Sequence, residues 1–207
     1  MYIPKYFQVT NISEIIEFIE GNSFATLVTT KKGKPIASHL PLGLHKHGEE
    51  YYLTGHMAYG NPQWRTFETC EEVLVIFQGP HGYISSSWYE HENVPTWNYQ
   101  AVHVYGQASI LGEEELKLDL TKLLEKYEKQ RENPVLWVKL SPQLLESQLK
   151  GIVGFKIKVQ EVQAAYKLSQ NRNKEDYHNI VEKLQEEDNL NSQQLAEVMK
   201  ERLKNSK

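Results

Sequence analysis

Hydrophobic and polar positions follow a helical spacing near the start of the chain and a strand-like pattern soon after. Apolar residues recur every three or four positions between residues 11 and 22, which predicts a helix that Asn11 or Ser13 caps and Gly21 ends. Short apolar runs separated by polar turns then predict a β-meander. The predicted strands cover residues 24–30, 35–42, 51–54, 73–77, 83–88, 101–111 and 152–167.

Between and after these strands, residue types and spacing predict turns and helices. Asn61 and Pro62 suit the cap and first position of a helix, so a short helix is predicted from Asn61 to about Cys70. The other predicted helices cover residues 113–131, a segment opened by Ser141-Pro142 and closed by Gly151, 175–187 and 192–204. Turns are predicted at residues 31–34, 45–48 and 79–82, and a loop at 89–99.

The order of the elements predicts the fold class. Strands do not alternate regularly with helices, which argues against a doubly wound parallel sheet. We therefore expect a mainly β protein, an antiparallel barrel with peripheral helices and a C-terminal helical tail. The barrel domain is predicted at residues 1–172, with inserted helices at about 113–150, and the C-terminal helical extension at residues 173–207.

Composition narrows the classes of function. The formal net charge of −4 gives no support for a basic DNA-binding face, although it leaves room for a local basic patch. Cys70 is the single cysteine and cannot form an internal disulfide. No apolar run reaches the roughly 20 residues that cross a bilayer. These features predict a cytoplasmic protein with no membrane partner.

Residues 54–65 are a candidate phosphate site. They place two glycines between a predicted strand end near Thr54 and the predicted helix start at Asn61. Free backbone N–H groups at a helix start attract anions, and glycine permits close approach. Arg65 adds a cation and His56 a hydrogen-bond donor. The alternative is an ordinary turn before a capped helix.

Two further segments could hold a planar ligand. In the aromatic-rich stretch 85–99, Trp97 could cover a ring system and Asn98 could bond its polar edge. The alternatives there are packing against the barrel or a dimer surface. Residues 167–172 carry two cations and three polar side chains, which could clamp a phosphate or form a polar linker.

Sequence motifs of metal sites, hydrolase active sites and nucleotide-binding loops do not occur in this chain. Its histidines lack the spacing of H-E-x-x-H and it has no C-x-x-C, so no metal site is predicted. The nucleophile elbow G-x-S-x-G, the Walker loop and the dinucleotide fingerprint G-x-G-x-x-G are likewise missing from the sequence. No catalytic side chain is predicted.

Taken together, the three segments resemble the PaiB family of FMN-binding negative transcriptional regulators. The resemblance rests on GHMAYGNPQW (55–64), VPTWNYQAVH (94–103) and KLSQNR (167–172), with MYIP at the start and SHLPL at 38–42. It covers nearly the whole chain, and the last two dozen residues are the least diagnostic part. It implies a split barrel related to pyridoxamine-phosphate-oxidase flavoproteins, usually homodimeric with FMN at the subunit interface. It also implies repression of sporulation and of degradative-enzyme synthesis.

The resemblance further implies an FMN site. Its relatives often bind the flavin phosphate with a Ser-Arg-Lys run, where this chain has Ala58-Tyr59-Gly60. Because those basic side chains are absent here, phosphate binding rests on backbone N–H groups and neighbouring residues. Segment 167–172 is expected to serve the partner subunit's site. The predicted cofactor-binding residues are Ser38, His39, Leu40, Thr54, His56, Ala58, Asn61, Gln63, Trp64, Arg65, Trp97, Asn98, Lys167, Ser169, Gln170 and Arg172.

Alternative functions remain open at the level of sequence. Lys200, Arg202, Lys204 and Lys207 could contact DNA or a protein partner, or simply form a solvated helix face. An FMN-dependent NAD(P)H oxidoreductase is the main alternative, because a flavin performs hydride chemistry without a visible catalytic side chain. A haem protein with His39 or His56 as ligand is a third.

Overall fold

The computed structural model describes residues 1–205, which form eight strands and five α-helices. The strands are β1 (Gln8–Val9), β2 (Phe24–Lys31), β3 (Lys34–Pro41), β4 (Gly43–His47), β5 (Glu50–Ala58), β6 (Val73–Ile84), β7 (Thr96–Ile110) and β8 (Ile152–Lys167). The helices are α1 (Ile12–Gly21), α2 (Glu113–Glu128), α3 (Pro142–Leu149), α4 (Lys174–Glu186) and α5 (Leu190–Asn205). None of the helices described over residues 1–205 is long and apolar enough to span a membrane.

The strands form one antiparallel sheet in the order β3-β2-β6-β7-β8-β5-β4, and β1 pairs with β8. The order begins at β3 and ends at β4, so the sheet does not close along this path. The residues fall into two compact units. The central unit comprises Ile19–Phe77 and Val104–Val162, and the terminal unit comprises Met1–Phe18, Gln78–His103 and the chain from Gln163 onward.

The core of the central unit forms on one face of the alternating strands. On β5, Leu53, Gly55 and Met57 are buried, while the residues between them are half-buried. Helix α2 packs close to Gly154 on β8. A Cβ at this position would lie only 2.6 Å from Leu116 Cδ1. The glycine therefore allows the approach of this helix.

The core of the terminal unit includes both C-terminal helices. Ile180 and Leu184 on α4 and Leu195 and Met199 on α5 are completely buried. Gly82 on β6 lies under this pair, since a Cβ there would be 3.1 Å from Leu195 Cδ2. These helices are thus an integral part of the terminal unit's core.

Several predicted elements match the structure within a few residues. They are α1, β2, β3, α2, α3, β8, α4 and α5. Two predicted helix starts are also confirmed. Asn61 caps its helix by accepting a hydrogen bond from Gln63 N at 3.0 Å, and Ser141 accepts one from Leu144 N at 3.4 Å.

One predicted turn is wrong because a strand continues through it, and another starts later than predicted. The turn predicted at residues 79–82 lies inside β6, where Gly79 is buried and a Cβ would meet the Phe18 ring at 2.7 Å. The turn at 45–48 is in large part β4, which ends at His47. Glycine in a strand marks a close approach as readily as a turn.

The segment 54–65 also differs from its prediction. The sequence predicts a strand that ends near Thr54, whereas strand β5 continues through Gly55 to Ala58. A Cβ on Gly55 would lie 2.5 Å from Leu42 Cδ2, so this glycine serves core packing. The predicted helix from Asn61 to Cys70 is a five-residue 3-10 helix, Pro62–Thr66, followed by turns. Such a short helix has little dipole to offer an anion.

Candidate functional site

In the central unit, polar side chains connect β3 to the 3-10 helix at Pro62–Thr66. Asn61 Nδ2 donates to Ser38 Oγ at 2.9 Å, while Asn61 Oδ1 accepts from Gln63 N. One side chain thus caps the helix and binds the neighbouring strand. Ser38 and Asn61, predicted separately to contact the flavin, are brought together by this bond.

Gln63 anchors the same helix in the interior. Its side chain is completely buried, and Nε2 donates to Leu27 O at 3.1 Å and to Ile36 O at 3.2 Å. The carbonyl atom Oε1 is buried and has no hydrogen-bond partner among the described residues. A buried acceptor without a donor costs about 1–3 kcal/mol, a cost that an ordered water would offset.

Arg65 supplies the cation of this group. Its guanidinium lies 4.2 Å from the Trp64 ring centroid and 5.7 Å from the Tyr59 ring centroid. Trp64 Nε1 in turn donates to Tyr59 O at 3.0 Å. The charge therefore lies at the protein surface over two aromatic rings, where solvent and dissolved anions reach it.

A cavity of about 600 Å³ opens beside this arginine. Ligand pockets in proteins commonly measure about 300–1,000 Å³. Lys31 at the end of β2 and Lys32 in the turn that follows line it together with Arg65, and Glu71 and Glu72 also belong to the lining. Sequence reasoning treated the lysines only as a turn. Their position directly before Gly33, at the tip of a hairpin, gives no hint of the cavity.

The three residues predicted on β3 do not share one face. Side chains alternate along a strand, so Ser38 and Leu40 lie opposite His39. His39 Nδ1 is 3.0 Å from Thr26 Oγ1, and its ring stacks on Phe24 at a centroid distance of 6.4 Å. A single planar ligand would therefore meet Ser38 and Leu40 by their side chains and His39 only through its backbone.

Thr54 and His56 share the half-buried face of β5 with a helix carboxylate. Thr54 Oγ1 donates to Asp119 Oδ1 on α2, and His45 Nε2 lies 3.6 Å from the same oxygen. Burial lowers the pKa of His56, an effect that the Asp119 charge partly opposes. His56 Nδ1 is buried without a partner among the described residues. Asp119 was missed from sequence because it reads as one more charge on an exposed helix.

The segment Ala58-Tyr59-Gly60 is exposed at the end of β5. Asn61 N donates to Ala58 O at 2.9 Å, and Tyr59 N donates to Gly151 O at 2.8 Å. A Cβ built on Gly60 would meet no atom within 4 Å. The space over Gly60 is therefore open to a ligand.

The remaining predicted residues lie in the terminal unit. Asn98 is completely buried and donates to Ser169 Oγ at 2.9 Å and Met199 Sδ at 3.7 Å. Ser169 has a φ of +58°, an uncommon conformation for a residue with a side chain. Lys167 Nζ donates to Thr96 Oγ1. Burial lowers the pKa of Lys167, and the charge of Arg172 lowers it further.

Gln170, Arg172 and Trp97 have distinct surroundings in that unit. Gln170 Nε2 donates to the backbone oxygens of Tyr166 and Tyr6, so its amide is used in packing. The Arg172 guanidinium lies 4.9 Å from the Tyr89 ring centroid. The Trp97 ring is half exposed, with centroids 5.9 Å from His81 and 6.1 Å from Tyr83.

The predicted site residues therefore divide between the units. Ten, from Ser38 to Arg65, belong to the central unit, and six, from Trp97 to Arg172, belong to the terminal unit. Of the C-terminal basic residues that could contact DNA, contact a partner or form a solvated helix face, Lys200 pairs with Glu197 at 3.0 Å and Arg202 lies 3.8 Å from Glu14. Lys207 lies outside the described residues.

Comparison with known proteins adds to this geometry. Residues 1–161 match a family model described as "Putative FMN-binding domain". The chain is 70% identical over 204 residues to Protease synthase and sporulation protein PAI 2 of Bacillus subtilis (strain 168), with 99% of each chain covered. It is 30% identical over 135 residues to uncharacterized protein YKL070W of Saccharomyces cerevisiae, covering 54% of this chain and 79% of that one.

Solved structures confirm the predicted fold class. The flavocytochrome Anf3 of Azotobacter vinelandii superposes with a TM-score of 0.61 at 14% identity, over 86% of this chain and 78% of that one. The FAD and heme binding protein of Mycobacterium smegmatis superposes with a TM-score of 0.59 at 14% identity, over 83% of this chain and 78% of that one. At such identities the likeness concerns the fold alone. The cofactor predicted from sequence, FMN, agrees with the description of the matching family.

Proposed function

Because this chain belongs to the FMN-binding domain family, we propose that it is an FMN-binding regulator that represses sporulation and degradative-enzyme production. The regulatory part of the proposal rests on the 70% identity to the Bacillus subtilis protein over 99% of this chain. The name of that protein joins protease synthesis with sporulation. The contacts around Asn61 support the binding part.

The central unit has residues that suit FMN. Arg65 offers a fixed cation for the phosphate, and the open space over Gly60 lets a charged group approach the backbone. Ser38 and Asn61, joined by a hydrogen bond, add polar side chains beside this space. These residues replace the Ser-Arg-Lys run of the barrel relatives. Bound FMN would supply reversible electron or hydride transfer, which gives the regulator a redox-responsive group.

Arg65 tests this assignment. Arg65→Gln removes one charge-assisted contact, so the Kd for FMN should rise roughly tenfold or more. Arg131→Gln, which changes an exposed arginine elsewhere in the central unit, should leave the Kd unchanged. Fluorescence titration of both purified variants measures the difference. Equal affinity of both variants and the parent protein would remove Arg65 from the site.

The regulatory part is tested in cells. A Bacillus subtilis strain that lacks the 70% identical relative is complemented with this chain, and secreted protease activity is measured through stationary phase. We expect protease activity to fall to the level of the parent strain, which still has the relative. Arg65→Gln, expressed to the same level, should repress less if FMN is needed. No change in protease activity with the intact chain would contradict a regulatory role.

We further propose that the protein is a cytoplasmic homodimer. Trp97 and Tyr83 are 48% and 47% exposed, and together with His81 they form an aromatic cluster on the terminal unit. Aromatic residues are enriched at protein interfaces. This cluster supports a second copy as its partner. Segment 167–172 stays a predicted contributor to the FMN site.

A further inference from the structure

The residues beyond the FMN-binding domain match contain a second charged cavity. It measures about 160 Å³ and lies in the terminal unit, at the start of α4 and the end of α5. Three cations line it: Arg172, Lys174 and Arg202. All of its lining residues have numbers of 170 or higher, whereas the family match ends at residue 161. The family match alone therefore does not account for this cavity, although Gln170 and Arg172 in its lining also belong to the segment predicted to contribute to the FMN site.

The positive charges of the cavity are incompletely compensated. No acidic residue lines it. Arg202 lies 3.8 Å from Glu14, but no acidic side chain among residues 1–205 pairs with Arg172 or Lys174. Grouping like charges without counter-ions is unfavourable, and a bound anion reverses that cost.

The nearby carboxylate of Asp176 is engaged elsewhere. Its Oδ1 accepts from Glu90 N at 3.1 Å, and its Oδ2 accepts from Asn173 Nδ2 at 3.0 Å. His91 Nδ1 lies 3.6 Å from the same Oδ2. Asp176 is thus buried in its own set of contacts and does not line the cavity.

The neutral polar groups on the wall are also engaged. Tyr177 OH donates to Met199 O at 3.0 Å, and Asn173 Oδ1 accepts from Asp176 N at 2.7 Å. Gln170 bonds three backbone groups. The charged groups available to a ligand are therefore the guanidinium of Arg172 and the ammonium group of Lys174. The Tyr89 ring holds the Arg172 guanidinium on one face.

From this geometry we infer that the cavity binds the phosphate group of a small molecule. Several cations around one small space suit a dianion better than a single carboxylate, and arginine matches phosphate oxygens bidentately. The volume is below the roughly 300 Å³ of pockets that enclose a whole drug-sized ligand, so the cavity takes the phosphate and leaves the rest in solvent. Free phosphate and a phosphate monoester share this chemistry.

Calorimetric titration of the FMN-saturated full chain tests this inference. Sodium phosphate is titrated at constant ionic strength, with sodium chloride as the reference, and glycerol phosphate separates a monoester from free phosphate. We expect saturation with a Kd of roughly 1 mM or tighter for at least one of them. Lys174→Gln should weaken that Kd about tenfold. Lys183→Gln is the control, because this lysine lies on the same helix and pairs with Glu186 instead.

Other results would overturn the inference. No saturation at about 10 mM of either compound means that the cavity is no phosphate site. An equal loss in both lysine variants means unspecific attraction. If phosphate binds only to FMN-free protein, the cavity holds the flavin's own phosphate. Binding of duplex DNA that Lys174→Gln weakens, without binding of either small compound, assigns the charges to a nucleic acid. A thermal melt of each variant confirms that it is folded.

Discussion

Asn98 shows how one buried side chain can organise a unit. Its amide bonds Ser169, which adopts a left-handed backbone conformation, and it reaches Met199 on α5. Strained residues persist only where their surroundings fix them. From the sequence, Asn98 and Ser169 were singled out as ligand-binding residues. Their mutual hydrogen bond could not be foreseen, because 71 positions separate them.

Replacing Asn98 should therefore destabilise the terminal unit. Asn98→Ala removes the partner of a buried hydroxyl and leaves a cavity, which should lower the free energy of unfolding by about 2–3 kcal/mol. Asn171→Ala changes an exposed asparagine nearby and should alter it by less than about 0.5 kcal/mol. Urea unfolding measures both. A small effect of Asn98→Ala would show that the hydrogen bond is dispensable.

Two half-buried histidines make stability depend on pH. Burial lowers the pKa of His56 and of His103 below the ordinary value of 6.5. The unfolded chain then binds protons that the folded protein does not, starting near pH 6.5, so stability falls as the pH falls.

Unfolding free energy measured between about pH 7.5 and 5.5 checks this dependence. The parent protein should lose stability toward pH 5.5, and the double variant His56→Gln with His103→Gln should lose less over the same range. His47→Gln, at an exposed position, serves as the control for removing a histidine. Parallel curves for all three proteins would exclude this source of pH dependence.

At the scale of elements, the long periodic segments were predictable, whereas the full extent of β5 and β6, which glycines interrupt, was not. Helix α2 and strand β8 have long uninterrupted patterns, which local spacing is enough to detect. Strands β5 and β6 contain glycines that admit Leu42 and Phe18 from distant parts of the chain. A single sequence cannot tell such a glycine from one in a turn.

Gly106 on β7 is the sharpest test of these close approaches. A Cβ at this position would lie 2.1 Å from Lys158 O, a backbone atom of β8 that cannot move without disturbing the strand. Gly106→Ala should therefore cost about 3 kcal/mol or more, measured by urea unfolding. Gly21→Ala meets nothing within 4 Å at the end of α1, so it should be neutral or slightly stabilising. Similar effects of both substitutions would contradict the observed packing of β7.

At the scale of the whole molecule, the sequence predicted the mainly antiparallel fold and the family. It did not predict the division of the site residues between two units, because the units are assembled from separate stretches of the chain. It also treated the C-terminal helices as an extension. Their apolar faces pair with each other and with β6, a long-range arrangement that spacing within each helix does not encode.

The aromatic cluster yields a prediction on assembly. Trp97→Ala should convert a dimer into a monomer at low micromolar concentration, because interface aromatics often contribute 2 kcal/mol or more. Val138→Ala, at a residue that is 86% exposed, should leave the mass unchanged. Light scattering after size-exclusion chromatography reports the mass directly. A parent protein that is already monomeric would contradict the proposed homodimer.

Titration of the purified protein with FMN, followed by flavin absorbance and fluorescence, tests the central claim most directly. We predict saturable binding of one FMN per chain with altered flavin fluorescence, weakened in Arg65→Gln and retained in Arg131→Gln. Flavin spectra that stay those of free FMN throughout, with the protein folded, would contradict the claim that this chain is a flavin-binding regulator.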